Sequence, residues 1–283
     1  MMEQMTASTD RLKIHKATRV IAITSGKGGV GKTNIAGALS LYFAGQGRKV
    51  MILDADLGLS NIDVLFGISP EFNIENVLSG EKRLSEIVVD GPRRVRILPA
   101  SSGSEGLANL SEAHKMKILS ALDEFDEDVD ILIVDTGAGI AGNVTFFCEA
   151  SQEIIVVVTP EPTSITDAYA LIKVLSTNYG ERKFRILVNM AAGADDALET
   201  FRRISLVADR FLNISLDYIG FLTNDPLVRK AVRRQQSFIE CFPAAQVSKD
   251  IAAVGRALQH DPVNQIKGGV QFFLRRLFGG VAA

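Results

Sequence analysis

The segment Gly26-Lys27-Gly28-Gly29-Val30-Gly31-Lys32-Thr33 constrains this chain more than any other. Its spacing is G-x-x-x-x-G-K-[ST], with an additional lysine directly after the first glycine. An apolar, β-branched run, residues 20–24, precedes it, and a helix-like stretch, residues 34–45, follows it. Strand, glycine loop and helix in that order bring backbone N–H groups and the positive end of a helix onto one phosphate group. The residue types divide the work. The glycines let the backbone bend and come close. Lys32 reaches the β- and γ-phosphates, Thr33 offers a hydroxyl to Mg2+, and Lys27 is a mobile second charge for phosphate in its own site or in a partner's.

The rest of the chain repeats this alternation. Strand-like runs fall at 19–24, 49–53, 95–98, 131–134, 154–158, 184–188 and 217–220. Several are apolar throughout, as strands covered on both faces must be. Helix-like patterns lie at 33–46, 111–124, 164–178, 195–211, 226–235 and 247–259. The pattern predicts an α/β fold: one doubly wound, mostly parallel sheet with helices on both faces. Its 283 residues, 47% of them apolar, suffice for one large core, expected over 18–260, with a loose tail at 1–17 and an amphipathic helix at 261–283. A net charge of −2 supplies no overall basic field for nucleic acid. Cys148 and Cys241 lack metal-ligand spacing and read as reduced thiols of a cytosolic protein. No signal peptide and no spanning segment are expected.

Ligands of such sheets sit at the carboxyl ends of the strands, and the acidic residues cluster there. The second strand runs into Asp54-Ala55-Asp56, and the fourth into Asp135-Thr136-Gly137-Ala138-Gly139. A magnesium-bound triphosphate needs one carboxylate near the metal and another to orient the attacking water. Asp135 is assigned to the metal, Asp56 to the water, and Asp54 to support near the metal shell. Gly58, Gly137 and Gly139 allow these segments to reshape when the γ-phosphate leaves. Asn189 ends the sixth strand, where its amide can read the edge of an adenine.

With these residues in view, the chain resembles the deviant Walker A ATPases of the MinD/ParA group from about residue 18 onward. Lys27 is their signature lysine, segment 54–63 is similar to their switch I, and segment 135–140 is similar to switch II of the flagellar-number regulators FlhG, also called FleN. The resemblance implies an ATP-dependent homodimer that sandwiches two nucleotides. Lys27 then reaches the partner's phosphates, Mg2+ sits at Thr33 with Asp54, Asp56 and Asp135 around it, and Asp56 activates water. It places Asn189 at the adenine and closes that pocket with Asn224, Asp225 and Pro226. Asn34 stands where many relatives carry a second threonine, and its amide can still donate to phosphate. Residues 1–17 lack the Asp-Gln-Ala motif with which many FlhG proteins stimulate the GTPase FlhF.

In the C-terminal segment, Ile266, Val270, Phe273, Leu274, Leu277 and Phe278 share one helical face, with Lys267, Arg275 and Arg276 beside it. Such a helix suits a membrane interface. Residues 273–280 resemble the MinD membrane-targeting tail. The reading is therefore a cytoplasmic ATPase switch, reversibly peripheral on the cytoplasmic membrane, that sets flagellar number or placement. Its output partner would be FlhF, a basal-body protein or a FleQ-like regulator. A division-site MinD is the alternative, disfavoured by Thr136-Gly137, where MinD proteins usually carry Ser-Pro. A ParA-type DNA partitioner would need more than the basic cluster Arg229, Lys230, Arg233 and Arg234.

Overall fold

A computed structural model describes residues 18–57, 61–100, 107, 109–125, 127–260 and 271–273. Eight strands form one sheet in the order β3-β4-β2-β5-β1-β6-β7-β8. They are β1 (Arg19–Ser25), β2 (Val50–Ala55), β3 (Val89–Asp90), β4 (Arg96–Leu98), β5 (Ile131–Ala138), β6 (Glu153–Val158), β7 (Lys183–Ala191) and β8 (Ser215–Thr223). All neighbours pair parallel except β3, which runs antiparallel on β4. The seven expected strands are present, and two-residue β3 is an addition too short to leave a pattern.

The helices are α1 (Lys32–Gly45), α2 (Ile62–Phe66), α3 (Ile74–Ser79), α4 (Leu84–Ile87), α5 (Glu112–Asp123), α6 (Gly142–Glu149), α7 (Pro162–Asn178), α8 (Ala194–Phe211), α9 (Pro226–Val232), α10 (Phe238–Cys241) and α11 (Gln246–His260). Side-chain alternation along the strands assigns them to two faces. Ile21, Ile23, Ile52, Ile133 and Ile155 pack with α1 and α11. Val20, Met51, Leu53, Leu132 and Val134 pack with α3 and α5. Ala22, Ile154, Val156 and Ile186 meet α7 and α8. Both faces are thus covered, which is why the central strands carry no polar alternation.

At the amino ends of the strands, Glu153 is fully buried. It accepts from Arg19 Nε and Nη2 at 2.5 and 2.8 Å and faces Arg185 Nε at 3.4 Å, tying β1, β6 and β7 together. The carboxyl ends carry the loops of interest. β1 lies between β5 and β6 while the chain crosses from one half of the sheet to the other, so the crevice opens beside the glycine loop.

The C-terminal segment departs from the expected continuous amphipathic helix at Phe273. Residues 272–273 form a turn, and Phe273 has a left-handed φ of 56°. Phe272 and Phe273 are both fully buried in the core on the α3/α5 side. The Phe272 ring stacks on Phe147 at 6.1 Å and meets Phe146 edge-on at 6.3 Å, while its N–H donates to Ala150 O at 3.1 Å. Aromatic burial outweighs helical regularity at this point. The other anchors, Ile266, Lys267, Val270, Leu274, Arg275, Arg276, Leu277 and Phe278, lie outside the described residues, as does Gly58. No helix among the described residues is long and apolar enough to cross a membrane.

Candidate nucleotide site

Register brings the acidic residues to the loop. Asp54 of β2 pairs with Asp135 of β5, and Asp135 pairs with Ile23 of β1, three residues before Gly26. Gly31 adopts a φ of 95° as the chain turns into α1, and a Cβ there would stand 2.5 Å from Asn189 Nδ2. A Cβ on Gly26 would strike the backbone carbonyl of Asp167 in α7. Both positions therefore require glycine, the first for its conformation and the second for close packing.

Lys32 is buried and donates to Ser25 Oγ at 2.9 Å. Burial lowers its pKa, while Asp135 and Asp56 pull it back up. Asp135 is 1% exposed, and burial, reinforced by the neighbouring Asp54, lifts its carboxyl to about 8 against the restraint of a Thr33 hydrogen bond and of Lys32. Its Oδ1 has no hydrogen-bond partner. An orphaned carboxylate oxygen beside a threonine hydroxyl and an ammonium group fits a hydrated divalent cation. Asp56 is half-buried, its pKa raised by burial, and its carboxylate faces Gly137 of the switch II segment. Lys32, Thr33, Asp56 and Asp135 thus converge as the sequence reading expects.

Asp54 differs. Its carboxylate accepts from the backbone N–H of Asp56 at 3.2 Å, Asn61 at 2.9 Å and Ile62 at 3.1 Å. It is occupied in fixing the turn into α2, and a direct metal-ligand role is not what this geometry offers. The acid-to-amide bonds explain the side chain's burial without any cation.

Lys27 is held away from the loop. Its Nζ donates to Glu161 Oε2 at 2.6 Å and to Thr163 Oγ1 at 2.9 Å, at the start of α7. Sequence reasoning missed both partners. The signal was available, because Glu161 lies three residues after the buried strand β6 and directly precedes Pro162, a helix-starting residue.

A pocket beside the glycine loop is lined by Gly31, Asn34, Asn189, Asn224 and Asp225, joined by Met190 and Arg229, neither of which was expected there. Asn189 Nδ2 donates to Val30 O at 2.7 Å, which couples this pocket to the glycine loop. Asp225 caps α9 through Leu227 N at 2.9 Å, and Pro226 opens that helix. Arg229 is thereby separated in role from its neighbours Lys230, Arg233 and Arg234.

Comparison with known proteins agrees with this geometry. The family described as AAA domain matches residues 18–186. Antiactivator FleN of Pseudomonas aeruginosa is 43% identical over 92% of this chain and 93% of its own length. The chain belongs to the MinD/ParA-type P-loop ATPases, in their FleN/FlhG branch. The flagellum site-determining protein YlxH of Helicobacter pylori is 36% identical over 92% of this chain and 90% of its own. MinD of Escherichia coli, at 26% identity over 93% of this chain and 99% of its own, is more distant. The MinD of Pyrococcus horikoshii, solved with Mg-ADP, superposes with a TM-score of 0.72 at 23% identity, covering 87% of this chain and 97% of that one. For a member of this family the glycine loop is an ATP site, and the chain is an ATPase.

Proposed function

We propose that this FleN/FlhG-type ATPase is an ATP-switched homodimer in which two nucleotides lie between the protomers. Thr33 and Asp135 would hold Mg2+, whose charge would offset that of the phosphates, and Asp56 would orient the attacking water. Asn189 and the 224–226 segment take the adenine. The convergence of Lys32, Asp56 and Asp135 beside the glycine loop carries this reading. Lys27 supports the dimer: it stands 37% exposed on an outer contact, free to exchange Glu161 for a partner's phosphate.

Membrane attachment through the C-terminal segment follows from the same switch. Phe273 is buried against the protein's own core, so it must leave that contact before it can anchor in lipid. The names borne by the P. aeruginosa and H. pylori relatives favour a flagellar output, with FlhF, a basal-body component or a FleQ-like regulator reading the dimer.

Sedimentation with ATP and Mg2+ tests the dimer. The parent is expected to dimerise, Lys27→Ala to stay monomeric while still binding ATP, and Asp56→Ala to remain trapped as a dimer. Normal dimers from Lys27→Ala would refute the trans role. In cells lacking the chain, altered flagellar number with normal division is expected; minicells with normal flagella would move the assignment to MinD.

A further inference from the structure

The edge of the sheet opposite the nucleotide carries a second cleft. It has a volume of about 580 Å³ and lies where β2, β4 and β5 begin. That size falls among small-molecule sites, roughly 300–1,000 Å³. Arg48, Lys49, Arg93, Arg94 and Arg96 line it, against only two acids, Glu127 and Asp128. The chain as a whole is slightly acidic, at −2, so this concentration of cations is local.

Not all of these cations are free. Lys49 meets Asp128 at 2.9 Å, Arg93 meets Glu240 at 3.0 Å, and Arg96 meets Asp90 and Glu127 at 3.1 and 2.5 Å. Arg48 and Arg94 are exposed and have no acidic partner among the described residues. The backbone beneath is unusual as well. Arg93 and Arg94 are consecutive non-glycine residues with φ of 53° and 61°, both left-handed. Strain of this kind persists where surrounding structure over-determines it, often at a ligand site. Here Gly91 N donates to Val95 O at 2.7 Å and closes the turn, while Arg93 Nη1 lies 3.4 Å from Leu41 O at the end of α1. The turn is pinned at its base, and Arg94 projects from it.

The ligand chemistry follows from the guanidinium groups. Two unpaired planar forks in one cleft suit the oxygens of a phosphate ester, which they can engage bidentately. The C-terminal segment narrows the source. Asp250 of α11 accepts from Thr223 at the carboxyl end of β8, Val254 lies beside Gly220 earlier in that strand, and the helix runs on to His260, so the chain leaves α11 toward this same amino-terminal edge whether or not the Phe272 contact holds. A tail that goes to lipid from that edge brings the cleft with it, and the nucleotide site stays at the far edge. We infer that the Arg48–Arg94 cleft binds the phosphate of an anionic lipid headgroup, as a docking site separate from the C-terminal anchor. This inference rests on the membrane attachment proposed above.

Vesicle flotation of the full chain with ATP and Mg2+ tests it, using phosphatidylglycerol/phosphatidylcholine vesicles and phosphatidylcholine alone. The Arg48→Gln/Arg94→Gln double variant is expected to lose roughly 25-fold in affinity for the anionic vesicles, from about fivefold per arginine. Its ATP turnover without lipid should equal the parent's. If the parent binds the anionic vesicles and the double variant binds them equally, the cleft assignment is overturned and membrane attachment stands. If the parent binds neither vesicle, membrane attachment itself fails and the lipid assignment falls with it. Glycerol phosphate titrated into the chain separates the sources. Tight binding lost in the double variant, without discrimination between vesicles, would make the occupant a free phosphate compound and overturn the lipid source.

Discussion

Asp135 concentrates the conflict on which the site depends. A carboxyl at about 8 in the fold keeps a proton that the unfolded chain releases near the ordinary carboxylate value of 3.8. The native state then binds more protons than the unfolded state between those values, so this group's stabilisation is complete below about pH 4 and is lost as pH rises toward 8. Without nucleotide and metal, the melting temperature is expected to fall from pH 5 to pH 8, and Asp135→Asn to flatten that fall; equal slopes in the two proteins would refute the assignment. The same substitution should abolish magnesium-dependent ATP turnover, since the amide cannot supply the carboxylate charge. With Asp56 in its proposed water-orienting role, Asp56→Ala acts on chemistry alone. Loss of a water-orienting carboxylate lowers turnover by roughly 10²–10⁴-fold, measured as phosphate release, with ATP affinity retained.

Among the elements, the first turn of α2 shows how a residue assigned by strand-end logic can belong to scaffolding. Asp54→Ala removes the acceptor of three backbone amides. It should cost about 2 kcal/mol in denaturant unfolding and loosen the switch I segment, whereas a neutral outcome would reinstate Asp54 as a candidate ligand. From the sequence, Asp54 and Asp56 differ only by two positions, and which one bonds the following backbone depends on how the chain turns. The seven main strands were legible because continuous burial leaves continuous apolar runs. Helix α6 was not: Asn143, Val144, Thr145, Phe146 and Phe147 have low helical propensity, and tertiary packing of both phenylalanines overrides it. Phe273 misled for the complementary reason. Its place on a helical face in the sequence was genuine periodicity, but the neighbouring Phe272 found an aromatic partner in α6.

Across the whole molecule, the two edges of the sheet have different work. The carboxyl edge gathers nucleotide groups, and the amino edge is fastened by Glu153 between two arginines. Glu153→Ala leaves Arg19 and Arg185 facing each other in a buried setting, which should destabilise the fold by roughly 3–5 kcal/mol; a change below about 1 kcal/mol in chemical denaturation would show that the triad is dispensable. The contact between Lys27 and Glu161 has a consequence of another kind. In the proposed switch, every monomer carries an internal competitor for the charge that the dimer would use. At low occupancy, dimer concentration rises as the square of protein concentration, so doubling the protein quadruples the signal. An exposed ion pair of this type is worth about 0.2–1 kcal/mol, and it enters once per protomer. It therefore displaces the point on that quadratic curve at which the response begins. Under the proposed function, Glu161 is a residue whose substitution would shift the protein concentration at which the dimer accumulates, with the nucleotide chemistry left as it is.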